Sequence, residues 1–236
     1  MSDHQNQPRI KALPASLNGI VIALPVILGY LPVGFAYGVL AEKAGLSPIN
    51  TLVMSVVVFA GSAQLIAVGL FSAGIEPLTI VLTTFVVNLR HMLMSAALSP
   101  YLQGWRKREL AWFAYELTDE TFALHATRLP EDGVSRTETF AINAAVQAAW
   151  ILGSLLGVIG GRLVTDIEPL ALDYALPAMF IALLVMQLNR KSEVAVAVVS
   201  GLCSVGLYLA GWDQWHVIMA TLVGATFGVV VEKWIR

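Results

Sequence analysis

Apolar residues run along this chain in seven long stretches, at about 17–40, 51–71, 77–98, 139–163, 170–188, 194–211 and 215–231. The first, LNGIVIALPVILGYLPVGFAYGVL, carries no charge at all. A helix needs roughly 20 apolar residues to cross a bilayer, so the run is long enough to span. Only one connection is long, the semi-polar stretch 99–138. The pattern predicts an all-α, polytopic transmembrane bundle: a single domain over 1–236, with a helix group at 17–98, a polar connection at 99–138 and a second helix group at 139–236. Two halves flanking one connection suit a transporter built from repeats. The run after the polar residues 1–16 exceeds the ~7–15 residues of a signal core and has no small-residue cleavage site behind it, so an uncleaved N-terminus is expected.

Polar residues inside the apolar runs carry the functional signal. In TTFVVNLRHMLMSAAL (83–98), Thr84, Asn88, His91 and Ser95 fall at offsets 0, +4, +7 and +11, one face of a helix. Lipid cannot satisfy that face, so it turns toward protein or a wet cavity. Arg90 lies about 200° round the helix from Asn88 and must pair with an acid, cap a carbonyl or snorkel to an interface. Asn143, Gln147, Trp150 and Ser154 repeat the spacing. Both stripes have two readings, a substrate path or hydrogen bonding between helices.

Small residues add a second layer. Gly153, Gly157 and Gly161 recur every fourth position, as do Gly34/Gly38 and Gly224/Gly228, which permits close helix approach either within the chain or toward a partner. Pro25 and Pro32 predict kinks in the first run. FAGSAQL (59–65) interrupts the second run with Gly61, Ser62 and Gln64. A break at membrane depth is tolerated where protein or water satisfies the freed backbone, so this run is expected to be broken or re-entrant. In YELTDETFALH (115–125), Glu116, Asp119 and Glu120 share one helical side, and Thr118 or Asp119 is placed to cap a helix. Three acids so close need a cation nearby, from Arg90, Arg128 or a substrate ammonium; the other reading is a solvated acidic face.

Composition and charge narrow the class. The chain is 57% hydrophobic and 13% charged, against about 25% charged for a soluble domain. Arg106, Lys107, Arg108, Arg128, Arg136, Arg190, Lys191, Lys233 and Arg236 fall on one side if 139–231 crosses four times, which makes the C-terminus cytoplasmic. Arg9 and Lys11 join that side if two crossings precede residue 99 and oppose it if three do, so six or seven crossings are expected. The net charge of −2 and the lack of any long basic block argue against nucleic acid. The lone Cys203 forms no internal disulfide.

An enzyme is disfavoured. GSAQ is not a nucleophile elbow, Ser62 has only His91 at similar depth, and no His, Cys or acidic pair has zinc-ligand spacing. No catalytic residue, metal or cofactor is expected.

Four blocks together resemble the AzlC family: GYLPVGFAYGVLAEKAGLSP (29–48), VFAGSAQL (58–65), VVNLRHMLMSAALSPYL (86–102) and LTDETFAL (117–124). The second departs from the family's usual GASQF, with Leu65 where an aromatic is usual. The resemblance implies a large subunit of a two-component exporter of valine, leucine or isoleucine in a bacterial inner membrane, working with a small AzlD-type subunit. A zwitterionic substrate needs donors for its carboxylate, best from Gly61, Ser62 and Gln64 at a half-helix start, with Asn88 and His91 on the polar stripe. It needs a carboxylate for its ammonium, from Asp119 or Glu120. His91, Asp119 or Glu120 is expected to carry a coupling proton, and Arg90 to be a structural or coupling charge. A channel or permease for another small solute is the rival reading.

Overall fold

The computed structural model describes residues 14–130, 135–163, 190–212 and 216–235, with isolated positions between 174 and 188. The described elements are all helical. They are α1 (Ala15–Lys43), α2 (Pro48–Val53, continued by a π turn, Met54–Val58), α3 (Gly61–Ser72), α4 (Pro77–Leu98, extended by a 3-10 turn, Ser99–Leu102), α5 (Lys107–Tyr115), α6 (Asp119–Arg128), α7 (Arg136–Leu163), α8 (Lys191–Leu209) and α9 (His216–Ile235). Among the described residues, four stretches are long and apolar enough to cross a membrane: Ala15–Lys43, Pro77–Leu102, Arg136–Leu163 and Lys191–Leu209. Pro48–Val58, Gly61–Ser72 and Met219–Val231 are shorter apolar helices. The apolar run at 170–188 lies outside the described residues except at isolated positions.

The chain divides into two compact units, one ending at Met179 and one spanning Phe180–Arg236. In the first, α1 and α7 form the central pair. The reason is steric. A Cβ on Gly157 would stand 2.1 Å from the Phe35 carbonyl oxygen, and one on Gly38 would stand 2.3 Å from that of Ser154. The glycines of α7 are therefore used inside this chain, against α1, and are not a free face for a partner. They also draw α7 into the first unit, although in sequence it begins the C-terminal helix group. α1 runs unbroken through Pro25 and Pro32. In the second unit α8 packs with α9, where Gly224 meets Ser200.

The second apolar run is broken. Ser47 caps α2 by accepting from Asn50 N at 3.2 Å, with Pro48 in the first turn, as helix starts favour. The helix widens into the π turn and stops at Phe59, which takes a left-handed φ of 43°. α3 then starts at Gly61 with no side-chain cap. The carbonyl of Val56, freed by the break, accepts hydrogen bonds from the Tyr115 hydroxyl and, at 3.4 Å, from Gln147 Nε2. Buried helix interruptions survive when such partners exist.

Between α4 and α7, α5 and α6 form a helical pair whose junction faces inward. Leu117 is 1% exposed and Thr118 4%. Thr118 caps α6, accepting from Thr121 N at 3.3 Å, while its own N–H donates to Thr121 Oγ1 at 2.8 Å. Glu138 ties three helices together, accepting from Arg128 at 2.7 Å and from Asn18 at 2.6 Å.

Candidate functional site

The break before α3, the middle of α4 and the start of α6 meet at one small cavity. Tyr30, Ala60, Gly61, Ser62, Arg90, His91, Thr118, Asp119, Glu120 and Trp150 line it. Arg90 crosses the space. Its Nη1 stands 2.7 Å from Asp119 Oδ2, and its Nη2 donates to Ser62 Oγ. The pair leaves room beside it for about one water molecule.

Each residue arrives by a local cause. Thr118 takes the cap of α6, so the Asp119 carboxylate is free to reach Arg90. Gly61 starts α3 beneath the Trp150 ring, where a Cβ would meet the indole at 2.8 Å. Gly61 and Ser62, in the uncapped first turn of α3, line the cavity at the positive end of the helix dipole. On the opposite side the Tyr30 hydroxyl contacts Glu120 Oε2 and lies 2.8 Å from Thr118 Oγ1. Burial raises the Glu120 carboxyl above its ordinary value, partly offset by the Tyr30 hydrogen bond. One wall thus presents a guanidinium, a hydroxyl and a helix start; the other presents two carboxyls.

Of the residues singled out from the sequence, Gly61, Ser62, Arg90, His91, Asp119 and Glu120 line this cavity. Gln64 and Asn88 are not among its lining residues. Gln64 is fully buried, accepting from Trp150 Nε1 at 3.1 Å and donating to Ser55 Oγ at 3.4 Å. Asn88 is half-buried, and its Oδ1 has no hydrogen-bond partner. Thr84, on the same stripe, bonds back to Ile80 O.

The second stripe is used between helices. Asn143 Oδ1 lies 2.7 Å from His125 Nε2, Gln147 reaches Tyr115 and Val56, Trp150 reaches Gln64, and Ser154 accepts from Ser55 at 2.8 Å. Tyr30, Thr118 and Trp150 were missed as lining residues. Their signal was weak: a tyrosine two residues before a proline in an apolar run, a cap residue, and a tryptophan on a stripe with two readings.

A second buried polar cluster lies at the α5–α6 junction. Glu116 is 1% exposed, His125 1% and Asn143 0%. Burial raises the Glu116 carboxyl to about 7, with Trp112 and Asn143 easing it back. Burial lowers the His125 imidazole, so it is neutral at pH 7 and its ring packs on Phe113. Among the described residues, no group of three or more His, Cys, Asp or Glu is placed to hold a metal ion.

These features define a helical membrane protein with a charged cavity at a broken helix. The match to known proteins is specific. Residues 25–164 fit the family described as "AzlC protein", and the chain belongs to the AzlC family. It is 30% identical over 200 residues to the inner membrane protein YgaZ of Escherichia coli, covering 81% of this chain and 82% of that one. It is 26% identical over 216 residues to the branched-chain amino acid transport protein AzlC of Bacillus subtilis, covering 91% and 84%. An uncharacterized membrane protein of Archaeoglobus fulgidus is 30% identical over 210 residues, covering 87% and 90%. No solved structure matches.

Proposed function

We propose that the protein is a secondary transporter that exports valine, leucine and isoleucine across the bacterial inner membrane, driven by the proton-motive force and working with a small AzlD-type membrane subunit. The observation that carries this reading is the Arg90–Asp119 pair set between the uncapped start of α3 and the Glu120 carboxyl. Such a site holds complementary charge for both ends of a zwitterion. The substrate carboxylate takes the place of Asp119 on Arg90 and accepts from Ser62 and the first N–H groups of α3. The ammonium takes Asp119 and Glu120. The side chain lies against Tyr30 and Trp150. Because the ion pair now fills the cavity, binding requires it to open, and the substrate itself replaces both halves of the pair. The same replacement of an internal pair offsets part of the desolvation cost of a charged ligand.

The name of the Bacillus relative supports the substrate class, and the inner-membrane relative supports the location. In this orientation the basic connection around Arg106–Arg108 and the C-terminus are cytoplasmic.

Solute counterflow in proteoliposomes, with and without the small subunit, tests the reading. Leucine, isoleucine and valine should exchange. Isopentylamine, lacking the carboxylate, and 4-methylpentanoate, lacking the ammonium, should compete poorly. Equal competition by either analogue overturns zwitterion recognition. Passive flux without counterflow marks a channel.

A further inference from the structure

The cavity does not account for Glu116. Its carboxyl is buried at the α5–α6 junction, does not line the cavity, and ends in an Oε2 with no hydrogen-bond partner. The Asn143 amide faces this carboxyl, and its Nδ2 is also buried with no hydrogen-bond partner. Buried polar groups are normally satisfied. An acceptor and a donor left open side by side mark a place whose bonding changes with protonation or conformation.

The surroundings are neutral. From α7 the facing group is the Asn143 amide, and from α5 it is the Trp112 indole. From α6 comes His125, which reaches Asn143 through Nε2 and is itself uncharged at pH 7. Asp119 and Glu120 turn into the cavity, where Arg90 and Tyr30 take them. Among the described residues no charged side chain contributes to the state of Glu116, which burial drives toward the protonated acid.

The same residue has a short route to the cavity. Its backbone carbonyl accepts from Thr121 Oγ1 at 3.5 Å, and Thr121 is locked to Thr118, the cap of α6. Asp119 and Glu120 begin that helix. The backbone that carries Glu116 is therefore bonded to the cap from which the two acids of the site begin.

We propose that Glu116 is a proton-binding residue outside the substrate cavity, and that its protonation couples the transmembrane proton gradient to the opening of that cavity. The acid binds one proton as the junction closes around it and releases that proton when the alternate conformation wets the carboxyl. This rests on the transporter reading above, but it assigns coupling to a residue other than His91, Asp119 or Glu120.

The test uses Glu116→Gln, which keeps the shape of the protonated acid. Infrared spectra of the full chain in nanodiscs should show a carboxylic-acid band that titrates near neutral pH and loses the intensity of one carboxyl in the variant. Unchanged intensity in Glu116→Gln, or no such band in the natural protein, overturns proton binding. In proteoliposomes the variant should keep leucine counterflow within about twofold while accumulation driven by a gradient of about one pH unit falls by about tenfold, the ratio that one coupled proton supports. Equal loss of both activities, or loss of neither, overturns the coupling role. The infrared band reads Glu116 whatever the substrate. Failure of the natural protein to exchange leucine would therefore remove the substrate reading and leave the proton site judged separately.

Discussion

Arg90 and Asp119 form an ion pair that joins α4 to α6 across the cavity, and both side chains are mostly buried, at 28% and 18% exposure. Arg90 also holds Ser62 at the start of α3, so one guanidinium on α4 connects the starts of α3 and α6.

Breaking that pair should be costly. Arg90→Ala or Asp119→Ala leaves a charge without its partner, at a cost of about 3 kcal/mol. Thermal unfolding in detergent should show both losses, and the double variant should recover part of them. Additive losses in the double variant would mean that the two residues do not interact.

Gln64→Leu should act on stability and leave substrate affinity alone. It removes the acceptor of Trp150 and a donor to Ser55, both buried, and an unsatisfied buried group costs about 1–3 kcal/mol. The half-saturation concentration for leucine should stay near that of the natural protein. A sharp rise in it at unchanged melting temperature would place Gln64 in the binding site.

Gly157→Ala and Gly29→Ala should part company. At Gly157 the added methyl meets the Phe35 backbone, whereas at Gly29 nothing lies within 4 Å. Overpacking costs about 1–3 kcal/mol and more where backbone must move. Size-exclusion profiles should show a loss of monodisperse protein for the first variant only; matching profiles would contradict the close α1–α7 contact.

Stability should depend on pH through Glu116. Its carboxyl lies at about 7 instead of 4.5, so the folded state holds this proton more tightly than the unfolded chain does. That contribution is fully present below about pH 4.5 and is lost as pH rises through about 7. Melting temperature should fall over this window in the natural protein and fall less in Glu116→Gln. Identical slopes would show that the carboxyl is not buried in solution.

Sequence by itself determined the helical membrane class, the break near Gly61 and most residues of the cavity. Apolar run length, a cluster of small residues in one run and isolated charges in lipid-compatible stretches are local signals. They follow from the cost of leaving a polar group in hydrocarbon. That Arg90 needs an acid, a carbonyl or an interface was legible in the same way, because a guanidinium at that depth has few options.

Which acid answers it was decided only by tertiary structure. Glu116, Asp119 and Glu120 share one helical side, and the capping of α6 by Thr118 separated their fates: Asp119 reaches Arg90, Glu120 reaches Tyr30, and Glu116 turns to the Asn143 side. Tertiary packing also assigned the second polar stripe and the α7 glycines. A stripe at helical spacing reads alike whether it faces substrate or another helix, and only the partner across the contact tells them apart. For Gln147 that partner was a carbonyl freed by the break in the second run, which no spacing within α7 encodes.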